Sequence, residues 1–192
     1  SEFTLHTNKI RDPDMKTLYR TQAIAQAGRN GEVHTLDNSL QLALALPTAL
    51  GGSGKGNNPE QLLAAGYAAC FSNALIHVAH KLGAPLSSAP VTAGVELLAL
   101  DDGRFNFAIT LDVALAATQP EQAAQAEQIV RLAHQTCPFS NAMRGNVVTR
   151  LLLNGAPLDE ALAGWFAFWA VGARLAATGL NDLLRPRYTT ET

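Results

Sequence analysis

The run Asn58-Pro59-Glu60-Gln61-Leu62-Leu63-Ala64-Ala65-Gly66-Tyr67-Ala68-Ala69-Cys70-Phe71 opens the segment on which the fold turns. Asn58 can cap a helix, Pro59 fits a first turn where its missing N–H costs nothing, and Glu60 suits the positive end of the helix dipole. The pattern continues through Leu75 and Val78 to about Leu82, where Gly83 can end it. Apolar residues lie nearly all round (Leu62, Leu63, Ala65, Ala69, Phe71, Leu75, Val78), which predicts a long, buried, central helix. Its small residues permit close approach by a neighbouring element.

On the N-terminal side, residues 16–25 read as a strand, and Ala27-Gly28-Arg29-Asn30-Gly31 as a turn, because Gly and Asn-Gly tolerate positive φ. Leu40, Leu42, Leu44 and Leu46 alternate as a half-buried strand that Pro47 ends. On the C-terminal side, residues 91–100 pair with the alternating Phe105, Phe107, Ile109, Leu111, Val113 and Leu115 in a hairpin about Asp101-Asp102-Gly103. Gln119-Pro120-Glu121 starts a second helix that must stop before Pro138, and residues 147–153 form a last strand. Strands, helix, two strands, helix, strand: this order predicts an α+β fold with a largely antiparallel sheet.

The 192 residues suit one domain with an extension. Residues 1–14 precede Met15 and read as an expression leader, residues 15–154 as the domain, and residues 155–192 as a C-terminal extension, helical in character, that holds Trp165 and Trp169. The uncharged stretch 161–173 is 13 residues long, short of the roughly 20 a membrane span needs. With a net charge of -2 and scattered Lys and Arg, nucleic acid is not an expected partner. Two cysteines without secretory features point to the reducing cytoplasm, where such a pair is catalytic or inert more often than a structural disulfide. Gly51-Gly52-Ser53-Gly54-Lys55-Gly56-Asn57 imitates a phosphate loop, but Ala49 stands where the first Gly belongs and Gly56 where the hydroxyl residue belongs.

Position alone favours reading Cys70 as a small core hydrophobe. It lies about three turns into the helix, beyond the reach of the dipole, so a reactive Cys70 needs a cation delivered by tertiary structure. Cys137 stands at a helix-to-loop junction before Pro138, a place from which a resolving thiol could move; a packed thiol is the alternative.

The words around both cysteines decide between these readings. Residues 58–71, together with Cys137-Pro138-Phe139-Ser140-Asn141-Ala142-Met143-Arg144-Gly145-Asn146 and the turn Gly28-Arg29-Asn30-Gly31, closely resemble the organic hydroperoxide resistance (Ohr) branch of the Ohr/OsmC family, in the same order and spacing. Asn30 departs where an acid often follows the arginine, and Met143 where Thr is common. The resemblance implies an OsmC-like fold of mainly antiparallel sheets about a long buried central helix, assembled as an intertwined homodimer. It implies a peroxidase without a bound cofactor, acting on organic (alkyl or fatty-acid) hydroperoxides. Cys70 attacks the O–O bond and becomes a sulfenic acid, Cys137 condenses with it, and a lipoyl-type dithiol reduces the disulfide. Arg29 is the implied cation, held by Glu60 through a bidentate pair. An ordinary thiol is roughly 3% ionised at pH 7, and lowering its pKa by about two units raises that to roughly 75%. Glu60 and Cys70 are roughly 15 Å apart along one helix, so either Arg29 spans the gap or Glu60 comes from a second subunit. Phe71, Phe139 and Met143 suit an apolar substrate.

Three rivals remain beside this reading. A Cys-His hydrolase would need His34 or His134 brought to Cys70, since His77 is about 10 Å away along the helix. A metal site at His77 and His80 lacks a third ligand. A non-enzymatic thiol redox sensor or binding module would use the same two thiols without turnover.

Overall fold

The computed structural model describes residues 16–116 and 119–158. These form two compact units that divide between Asn58 and Pro59. The leader and the Trp-containing stretch 161–173 lie outside the described residues.

The first unit is a three-stranded antiparallel sheet in the order β1-β2-β3, with β1 at Ala23–Gln26, β2 at Glu32–Thr35 and β3 at Gln41–Ala43. The strand expected over residues 16–25 is confined to its last residues and runs on to Gln26. The leucine strand is also shorter than its alternation predicts. Leu44 leaves the ladder to bridge Asn57, and the Leu46 N–H turns to the Asn30 side chain at 3.2 Å. The central strand β2 has no apolar alternation, and only its position between two neighbours reveals it.

The β1–β2 connection is the Arg29 turn, a 3-10 turn over Gly28–Asn30 with Ala27 and Gly28 at positive φ. Gly31 is obligatory there, because any Cβ would collide with the Gln26 carbonyl. Between β2 and β3, the Asp37 carboxylate accepts bonds from the Thr35 hydroxyl (2.6 Å), the Ser39 hydroxyl (2.8 Å) and the Ser39 N–H (3.1 Å). Those bonds hold its pKa down at about 2, from 3.8.

The second unit packs helices α1 (Pro59–Lys81), α2 (Pro120–Thr136) and α3 (Pro138–Met143) with a sheet in the order β4-β5-β6-β7. Its strands are β4 (Val91–Ala99), β5 (Phe105–Val113), β6 (Val148–Leu153) and β7 (Ala156–Pro157). The β4–β5 hairpin is antiparallel, from Val91 opposite Val113 to Ala99 opposite Phe105, as the alternation requires. β5 and β6 are parallel, so the chain must cross over between them, and α2 and α3 make that crossover. The remaining pairs are antiparallel, which makes the fold α+β with mainly antiparallel sheets.

α1 matches its expected span closely. Its burial within the chain is one-sided, whereas its composition predicts burial all round. Tyr67, Phe71, Ala74, Leu75, Val78 and Ala79 form a single buried stripe. The stripe meets Ile109, Leu111 and Val113 of β5 and Ala126, Ile129, Val130 and Ala133 of α2 in one core cluster. By length and composition α1 is apolar enough to cross a bilayer; its stripe belongs instead to this protein core. α2 shows the 3.6-residue period on its buried face and starts with a reciprocal Gln119–Gln122 capping box.

Candidate functional site: a close dithiol

Cys70 sits at the border of the buried stripe of α1, half-buried beside Phe71. Cys137 ends α2 and begins α3. Its extended backbone (φ -65°, ψ 124°) breaks the helix, and Pro138 starts the next one at a position that needs no donor. Its N–H donates to Ala133 (2.8 Å) and its carbonyl accepts from Asn141 (3.0 Å). The junction is therefore helix to helix with Cys137 itself fully buried, where the sequence pointed to a movable loop edge.

The fold brings these two thiols together across 67 residues: the Cys137 S–H donates toward Cys70 Sγ at 3.5 Å. Both are unbridged. That separation matches the near-attack range of roughly 3–3.5 Å for reacting atoms. Burial pushes the Cys70 thiol above its ordinary pKa, and the adjacent Cys137 adds to the rise. The Phe139 backbone N–H donates to Cys70 and works the other way.

The sulfurs lie among aromatic and apolar side chains of the core. The rings of Tyr67 and Phe139 lie 5.4 Å apart, and Phe71 meets Tyr67 edge-on at 6.4 Å. Gly66 allows α3 to come close: a Cβ there would touch the Phe139 ring at 3.4 Å. Met143 and Phe139 are half-buried against the same core.

One polar cluster was not legible beforehand. The Ser140 hydroxyl, 1% exposed, bridges the Tyr67 hydroxyl (2.9 Å) and His134 Nδ1 (3.0 Å). Burial raises the Tyr67 pKa, and Ser140 opposes that rise. Ser140 lies inside the quoted cysteine segment, but its partner is 73 residues away and no local pattern announces it.

Glu60 is in the first turn of α1, as the dipole argument requires, and Arg29 is the middle residue of the 3-10 turn in the first unit. His134 Nδ1 engages Ser140. His77 and His80 are exposed near the end of α1, and no group of three metal-ligating side chains occurs among the described residues.

A close dithiol shared by a core helix and a helical crossover defines the molecule as an α+β thiol protein of OsmC-like architecture. The sequence pattern of the OsmC-like protein family matches residues 52–151. An organic hydroperoxide resistance protein of Xanthomonas axonopodis pv. citri is 40% identical over 141 residues, which are 72% of this chain and 96% of that protein. The crystal structure of an organic hydroperoxide resistance protein from Legionella pneumophila is 44% identical, with a TM-score of 0.67 over 72% of this chain and 98% of that one. OhrB of Bacillus subtilis is 37% identical, with a TM-score of 0.63 over 71% of this chain and 99% of that one. The chain belongs to the OsmC family, within its organic hydroperoxide resistance branch.

Proposed function

We propose that this protein is a cysteine-based peroxidase that reduces organic hydroperoxides to alcohols. The observation that carries the reading is the 3.5 Å contact between Cys70 and Cys137; the names of the relatives give the substrate class. The Cys70 thiolate attacks the O–O bond. An alkoxide leaves, takes up a proton as the alcohol, and Cys70 becomes a sulfenic acid. The Cys137 thiol then condenses with that sulfenic acid, forming the disulfide and releasing water. A lipoyl-type dithiol restores both thiols by exchange and is itself oxidised to a disulfide.

Burial opposes ionisation of Cys70, so the first step calls for a cation. Arg29 is proposed for that role and for stabilising the departing alkoxide, with Glu60 holding its guanidinium. The apolar setting of Phe71, Phe139 and Met143 favours alkyl or fatty-acid hydroperoxides over hydrogen peroxide. A homodimer is part of the proposal. Single-chain α1 leaves Ile76 exposed, and Leu98, Phe105 and Val148 offer further apolar surface that a second copy would cover. A monomer in sedimentation would remove that part.

The deciding experiment adds one equivalent of a bulky organic hydroperoxide to reduced protein and follows free thiols and intact mass. Wild type should lose both thiols and about 2 Da; Cys137→Ser should stop at a sulfenic acid, about 16 Da heavier; Cys70→Ser should not react. Survival of both thiols in wild type would sink the proposal. Repeated turnover with a dithiol separates a peroxidase from a redox sensor, which is oxidised once.

A further inference from the structure

We propose that Ser140, clasped between Tyr67 and His134, is the positioning residue that sets Cys137 against Cys70 for disulfide formation. The inference rests on the peroxidase reading only for the step it names. Cys137 is the break between two helices, so the direction of its thiol depends on how α3 is seated. α3 is six residues long, too short to hold its own geometry. Something outside it must do so.

Ser140 does this from inside the core. Tyr67 precedes Cys70 by three residues on α1, and Ser140 follows Cys137 by three residues. Tyr67 and Cys70, three apart within α1, share a helix face, and Cys137 is the N-cap residue of the helix whose third residue is Ser140. The Tyr67–Ser140 bond at 2.9 Å is thus a second rung beside the sulfur–sulfur contact at 3.5 Å, joining the same two elements. The bond to His134 Nδ1 at 3.0 Å ties the same hydroxyl back to α2. Tyr67 is fully buried and Ser140 nearly so, so water is poorly placed to replace either bond. A hydroxyl donates once and accepts twice, which satisfies both bonds in either tautomer of His134. Displacements of about 1 Å between reacting groups are enough to slow a reaction by about 100-fold.

The test equilibrates reduced protein in glutathione buffers, where two protein thiols plus glutathione disulfide give the protein disulfide and two glutathiones. Ser140→Ala should lower the effective concentration of the Cys70–Cys137 pair by about 10-fold, equivalent to about 30 mV for this two-electron couple. Tyr67→Phe keeps the ring and removes one rung, and should lower it by about 3-fold. On hydroperoxide, both variants should accumulate trappable Cys70 sulfenic acid, because condensation slows more than oxidation. A merely structural Ser140 would shift the unfolding midpoint and leave the redox equilibrium and the sulfenic acid level alone. Should Ser140→Ala not fold, Tyr67→Phe decides. Wild-type equilibrium constants in both variants overturn the inference. If wild type ignores hydroperoxides, the peroxidase reading fails, and the glutathione equilibrium still decides this one.

Discussion

The surroundings of Cys70 oppose its ionisation. Burial and the neighbouring thiol raise its pKa, and one backbone N–H from Phe139 pulls it down. If Arg29 is the cation that reverses the balance, Arg29→Ala should move the pH profile of Cys70 alkylation upward. The sign follows from chemistry: the thiolate is the nucleophile, so a higher pKa defers reaction to higher pH. A profile identical to wild type removes Arg29 from the site. At this scale the two cysteines stand out through the words around them and not through their positions, since position alone favours a packed thiol at Cys70 and leaves that reading open at Cys137. Ser140 was not legible, because its two bonds depend on where α1 and α3 meet in space.

Elements whose pattern is self-contained were read nearly to the residue. Asn58-Pro59-Glu60 announces α1, and the alternation at Phe107, Ile109, Leu111 and Val113 announces β5. Two elements defined by their neighbours were not. β2 carries Glu32 and His34, and it is a strand because β1 and β3 flank it; α3 is a single short helix behind a proline. The link between β2 and β3 makes its own prediction. The Asp37 carboxyl, with three bonds to Thr35 and Ser39, should titrate at about 2 rather than 3.8. Its contribution to the turn is present above 3.8 and disappears as pH falls through about 2. Carboxyl NMR checks the value, and titration near 3.8 would show that the turn is open in solution.

For the molecule as a whole, the composition of α1 predicts a central helix buried all round, and the described residues bury one face of it. The buried stripe of α1 faces β5 and α2, while Ile76 on its other side stays exposed. All-round apolar sequence with one-sided burial is consistent with the proposed homodimer. A single sequence does not say which of a helix's apolar residues its own core will bury. The parallel β5–β6 pair was likewise hidden, because parallel pairing is decided by the route of the crossover and not by the strands.

That crossover has a consequence for durability. It returns Cys137 to Cys70 after 67 residues, so oxidation would staple a long loop shut. In the chain-entropy picture a loop of that size restricts the unfolded ensemble by up to about 4 kcal/mol. Oxidised protein should therefore unfold at higher urea than reduced protein, and coincident curves would show that the bond strains the native state as much as it restrains the unfolded one. Damage by heat or proteolysis would then fall first on molecules in the thiol form, and the disulfide form would be the longer-lived of the two.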